Sequence, residues 1–140
     1  MIRVIPINFT LRSFKKHEYF FEFLLPHRCN LNCKNCSRYA PLYDKTSDVS
    51  FEEFKEDFDH FLEFSDFKNI KRINLSGGEA TIVKDFIKIV EYTRSKFKET
   101  ISIYTNGLKL QTFSDTELET LKKTQRYFSY NKVSAVKYWL

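Results

Sequence analysis

Ile70-Lys-Arg-Ile-Asn-Leu-Ser-Gly-Gly-Glu79 reads as a short buried strand that stops at a pair of glycines. The same pattern lies on either side of it. Upstream, Glu18-Tyr-Phe-Phe-Glu-Phe-Leu-Leu25 is an apolar, aromatic run of strand length that halts at Pro26. Downstream, Ile101-Ser-Ile-Tyr104 breaks at Asn106-Gly107, and Arg126 to Tyr130 has the composition of a fourth strand.

Helical patterns fill the gaps. Ser50-Phe-Glu-Glu53 is a capping box, followed by Phe51, Phe54, Phe58, Phe61 and Leu62 at helical spacing. Ile82 to Phe97 gives a second helix with Phe86, Ile87 and Val90 inward, and Ser114-Asp-Thr-Glu117 caps a third that carries Leu118 and Leu121. The intervals between strands are too long for hairpins, so the alternation predicts crossover units and a parallel α/β sheet. Ligands bind such sheets at the carboxyl edge, where the βα loops converge.

Those loops hold the chemistry. All three cysteines, Cys29, Cys33 and Cys36, fall in the loop after the first strand with C-x3-C-x2-C spacing. An odd number of thiols does not close a disulfide framework. Three thiolates on one short loop can grip an iron-sulfur cluster from one side and leave one iron without a protein ligand. The competing readings are a Cys3His zinc site completed by His27 or His60, and cysteines that bind no metal.

Composition bounds the rest. The 140 residues make one domain, and 42% hydrophobic content is enough for an ordinary core. Phe occurs fifteen times and Gly three times, which predicts an aromatic core and glycines only where the backbone needs them: Gly77, Gly78 and Gly107, all in two loop motifs. The net charge is +5, but Lys15-Lys16, Lys68, Lys71-Arg72, Lys122-Lys123 and Arg126 are scattered, which fits a solvated surface better than a nucleic-acid footprint. No stretch has the length of a membrane span, and a reduced, cytoplasmic protein is expected. Asp44 to Val49 reads as a loop.

The three loops together resemble the radical S-adenosylmethionine (radical SAM) superfamily. The cysteine loop, Asn74-Leu-Ser-Gly-Gly-Glu-Ala-Thr81 and Tyr104-Thr-Asn-Gly107 match its cluster, Gly-Gly-Glu and Thr-Asn-Gly motifs in family order. Cys36-Ser-Arg-Tyr-Ala-Pro-Leu42 is similar to a subgroup with Cys-Ser, a basic residue, an aromatic, a small residue and Pro-Leu at this place.

The resemblance implies an incomplete (βα) partial TIM-type barrel of about four parallel strands with helices outside. It implies an N-terminal arm or extra strand over residues 1–17, a core domain over 18–131 and a tail over 132–140. Because the family's barrel has six βα units, it further implies a truncated product, half of a split enzyme, or a domain that closes by self-association with an exposed apolar edge.

The implied chemistry is a [4Fe-4S] cluster on Cys29, Cys33 and Cys36 that chelates S-adenosylmethionine and, with an electron from a flavodoxin- or ferredoxin-type reductant, cleaves it to methionine and a 5'-deoxyadenosyl radical. That radical would abstract hydrogen from a substrate the sequence does not identify. Cofactor contacts are expected from Ser76, Gly77, Gly78 and Glu79, with Glu79 helping to fix the ammonium group and both glycines clearing space for the cofactor. Thr105, Asn106 and Ser129, with Asn131, are expected near ribose or substrate. Asn35 stands where the family often has an aromatic, so adenine contacts fall to Tyr39 or the backbone. No general acid or base can be named, since His17, His27 and His60 are scattered. The alternative is a non-catalytic iron-sulfur or zinc module.

Overall fold

The computed structural model describes residues 19–43, 48–64, 69–124 and 127–130. The arm over 1–17, the tail over 132–140 and Asn131 lie outside the described residues. Four strands, β1 (Tyr19–Leu24), β2 (Ile70–Ser76), β3 (Thr100–Thr105) and β4 (Tyr127–Tyr130), form one sheet in the order β1-β2-β3-β4. Every neighbouring pair is parallel. A parallel pair needs a crossover, and three helices supply it: α1 (Phe51–Phe64), α2 (Phe86–Lys96) and α3 (Asp115–Thr124). The expected α/β architecture is therefore the observed one.

Register divides the sheet into two chemically different faces. Phe21 and Phe23 pair with Ile73 and Leu75, which pair in turn with Ile101 and Ile103. These side chains meet Phe54 and Phe58 of α1, Phe86, Ile89 and Val90 of α2 and Leu121 of α3 in one core. The core is aromatic at its centre: the Phe23 ring lies 5.4 Å from Phe54, 5.3 Å from Phe58 and 5.3 Å from Phe61. Such pairs add about 0.5–1.5 kcal/mol each beyond the area they bury. The opposite face carries Glu22, Asn74, Ser76 and Ser102, so period-2 alternation puts a polar layer on the side away from α1 and α2.

Both capping boxes form. Glu53 N–H donates to Ser50 Oγ and Ser50 N–H to Glu53 Oε2, at 3.2 and 2.9 Å. Ser114 and Glu117 repeat the exchange at 3.3 and 2.7 Å. Helix α2, expected from Ile82, starts at Phe86 instead. Ala80–Ile82 is a separate 3₁₀ turn capped by Glu79, whose side chain accepts from Thr81 N–H, and Val83 leaves it in an extended conformation before α2 begins.

A candidate cofactor site at the carboxyl edge of the sheet

Loops after β1, β2 and β3 meet at one edge. The first leaves Leu24 and carries Cys29, Cys33 and Cys36, all free and all half-buried. Backbone bonds from Cys36 N to Cys33 O (3.3 Å) and from Tyr39 N to Cys36 O (3.2 Å) fold the second and third cysteines onto successive turns. Burial pushes the Cys29 thiol up; the Leu31 N–H at 3.4 Å from its sulfur opposes this, and Glu79, Cys33 and Cys36 add to it. A positive metal centre held by the three cysteines would oppose that shift, because it favours the deprotonated sulfur.

The second loop is pressed against the first. Gly78 N–H donates to Pro26 O at 3.0 Å and Glu79 N–H to Arg28 O at 3.2 Å. A Cβ on Gly77 would stand 2.1 Å from Pro26 O, and one on Gly78 would stand 2.2 Å from Arg28 O. Gly77 also has φ +143°, a backbone conformation that favours glycine. The sequence reading assigned both glycines to cofactor clearance. What the geometry displays is clearance for the cysteine loop's own backbone.

Glu79 is 1% exposed and its carboxylate is filled by the protein itself. Oε1 accepts from Thr81 N (3.2 Å), Thr81 Oγ1 (2.5 Å) and Thr105 Oγ1 (2.5 Å); Oε2 accepts from Asn106 N (2.5 Å). The carboxylate thus clamps the β2 loop to the β3 loop. Thr105 is also committed, its Oγ1 accepting from Gly107 N at 2.9 Å. Asn106 faces the first loop, with Nδ2 at 2.7 Å from Asn30 Oδ1 and 3.7 Å from Cys29 Sγ.

Around this junction the remaining expected residues are spread. Tyr39 is 68% exposed, has φ 53° and stands beside the cysteine turns; Asn35 is exposed on them. Ser76 Oγ donates to Glu22 Oε1 at 2.5 Å on the polar face of the sheet, and Arg38 pairs with the same Glu22 oxygen. Ser129 lies in β4, paired with Tyr104. Sequence reading missed Glu22, Asn30, and the ion pair of Arg28 with Asp48 (Nε to Oδ1, 2.7 Å), which ties the cysteine loop to the segment entering α1. Glu22 had a signal, as a charge inside an aromatic strand; Asp48 had none, because its partner is twenty residues away. Asn74 Oδ1 is buried with no partner among the described residues.

The zinc alternative meets two observations. His27 stacks on Tyr43 with ring centroids 4.9 Å apart, and His60 is exposed on α1. Among the described residues no three His, Cys, Asp or Glu side chains, the three cysteines included, are gathered to hold a single metal ion. By ligand type, three thiols on one loop, with two N–H donors directed at Cys29, match the donor set of an iron-sulfur cluster.

The family model of the radical SAM superfamily matches residues 24–131. The chain belongs to the radical SAM superfamily. It is 34% identical over 101 residues to molybdenum cofactor biosynthesis protein 1 of Drosophila melanogaster, a match spanning 70% of this chain and 17% of that protein. It is 28% identical over 114 residues to GTP 3',8-cyclase of Mannheimia succiniciproducens, spanning 79% of this chain and 32% of that protein. The crystal structure of BtrN in complex with AdoMet and 2-DOIA shares the fold, with TM-score 0.59 and 22% identity over 82% of this chain and 46% of that one. The chain therefore spans a third or less of these curated relatives. Membership of this superfamily supports a [4Fe-4S] cluster and S-adenosylmethionine as cofactors, and radical SAM proteins use a reductant and a substrate. No helix among the described residues is long and apolar enough to cross a membrane.

Proposed function

We propose that this chain binds a [4Fe-4S] cluster through Cys29, Cys33 and Cys36, and S-adenosylmethionine across the junction of its three loops. When bound, this pair supplies a one-electron reductive cleavage of the sulfonium that yields methionine and a 5'-deoxyadenosyl radical for hydrogen abstraction. The supporting observation is convergence: the loop that carries the three cysteines is bonded to the Gly77-Gly78-Glu79 turn through Pro26 and Arg28 and to Asn106 through Cys29 and Asn30, at the carboxyl edge of a parallel sheet.

The protein's share of the work is positioning. Gly78 and Glu79 N–H groups fix the backbone of the cysteine loop, and Glu79 fixes the third loop. Backbone carbonyls of the second loop would take the cofactor ammonium, since the Glu79 carboxylate already accepts four hydrogen bonds from the protein. Tyr39, exposed beside the turns, would stack on adenine in place of Asn35. The polar layer of Glu22, Asn74, Ser76 and Ser102 forms a wall suited to a polar substrate, and the buried Asn74 oxygen awaits a donor. An oxygen-sensitive cluster of this kind belongs in a reducing compartment such as the cytoplasm, served by a flavodoxin- or ferredoxin-type reductant.

A second reading is a cluster-binding module without turnover. Anaerobic reconstitution with iron and sulfide, then reduction with dithionite and S-adenosylmethionine, decides between them. Release of 5'-deoxyadenosine supports the enzyme; a cluster without release supports the module.

A further inference from the structure

We infer that Asn106 is a positioning residue for the cluster's redox potential, its side-chain amide donating an N–H···S hydrogen bond to Cys29. The inference rests on the cluster assignment above and goes beyond the contact with ribose or substrate expected of this residue.

The orientation of the amide is fixed by its other partners. Leu108 N–H donates to Asn106 Oδ1 at 3.0 Å, so that atom is the oxygen, and the group facing Cys29 is the NH2. Nδ2 has two hydrogens for two acceptors, Asn30 Oδ1 at 2.7 Å and Cys29 Sγ at 3.7 Å. The backbone is held as firmly, since Asn106 N–H donates to the buried carboxylate of Glu79. Four hydrogen bonds therefore set this side chain and its backbone nitrogen: Glu79 and Leu108 lie outside the cysteine loop, Asn30 and Cys29 within it.

Cys29 receives a second N–H, from Leu31, at 3.4 Å. Hydrogen bonds to ligand sulfur draw electron density away from the cluster and stabilise its reduced, more negative state, so they raise its potential. Asn106 is the donor that reaches Cys29 from outside the cysteine loop, and it arrives 77 positions away in sequence. The Glu79 clamp thereby sets how readily the cluster accepts its electron, without touching it.

The test is an EPR-monitored redox titration of the anaerobically reconstituted 140-residue chain, with iron and sulfide content and S-adenosylmethionine affinity measured alongside. Asn106→Ser keeps an oxygen near Leu108 N–H but is too short to reach Cys29; Asn106→Leu removes both functions at similar volume. The expected result is unchanged iron and sulfide content with a more negative midpoint potential in both variants. An unchanged or raised potential in Asn106→Ser overturns the inference. So does weakened S-adenosylmethionine binding at an unchanged potential, which would return the residue to ligand contact, and so does loss of the cluster, which would make its role structural. A parent chain that takes up no cluster overturns the functional reading as well and is seen before any variant is compared.

Discussion

The Oε2 atom of Glu79 accepts the backbone N–H of Asn106 at 2.5 Å, joining loops that are 27 positions apart. Its other oxygen holds Thr81 and Thr105. Glu79→Gln must turn N–H groups toward at least one of these donors and leave it unpaired in a buried site. The variant should lose about 1–3 kcal/mol of stability, seen as a lower urea midpoint at unchanged slope. A midpoint equal to the parent's would remove the clamp from the account.

Gly78→Ala is the sharper test of the interlocked loops. Its Cβ would meet Arg28 O at 2.2 Å, Arg28 C at 2.5 Å and His27 O at 2.6 Å, all backbone atoms that cannot swing away. We expect a loss of at least about 1–3 kcal/mol from overpacking, with reduced iron uptake on reconstitution because the cysteine loop must shift. Full iron uptake at parental stability would show that the loops are not in contact.

Tyr92 on α2 ties that helix to α1 by donating to Asp59 Oδ1 at 2.5 Å. Burial, and then the bond to Asp59, push the phenol up to about 12. The folded state thus prefers the protonated phenol, so its contribution is fully present below the unfolded value near 10 and is lost as pH rises through about 12. Urea midpoints between those limits should fall more steeply for the parent than for Tyr92→Phe. Parallel pH profiles for the two proteins would contradict the assignment.

The two capping boxes offer a smaller effect of known size. Ser50→Ala and Ser114→Ala each remove the oxygen that accepts from the third helical N–H and should cost about 1 kcal/mol. Thermal unfolding followed by circular dichroism measures it. Their effects should add, since α1 and α3 do not share the capped residues.

Much of this was legible in the sequence because the informative signals are local. Helical spacing of Phe51, Phe54 and Phe58 named the buried face of α1, and the strands ending at Pro26, Gly77 and Asn106 placed three motifs at one edge. The exact start of α2 was not legible, because the break at Ala80–Ile82 depends on Glu79, whose partners include residues on a different loop. The protein neighbour of Gly77 and Gly78 was not legible for the same reason. Spacing shows that the backbone must pass close to something, while only the folded chain shows that the neighbour is Pro26 and Arg28. Asn106 is an ordinary turn residue by sequence, and its reach to Cys29 appears only once β3 lies beside β2 and β2 beside β1.

Everything proposed for this chain depends on Cys29, Cys33 and Cys36 holding a cluster with one iron open to S-adenosylmethionine. The most direct measurement is the EPR spectrum of anaerobically reconstituted, dithionite-reduced protein before and after S-adenosylmethionine is added, compared with Cys29→Ala, Cys33→Ala and Cys36→Ala. A [4Fe-4S] signal is expected that changes shape with the added compound and is absent from all three variants. A signal indifferent to S-adenosylmethionine, or colourless protein carrying stoichiometric zinc, would contradict it.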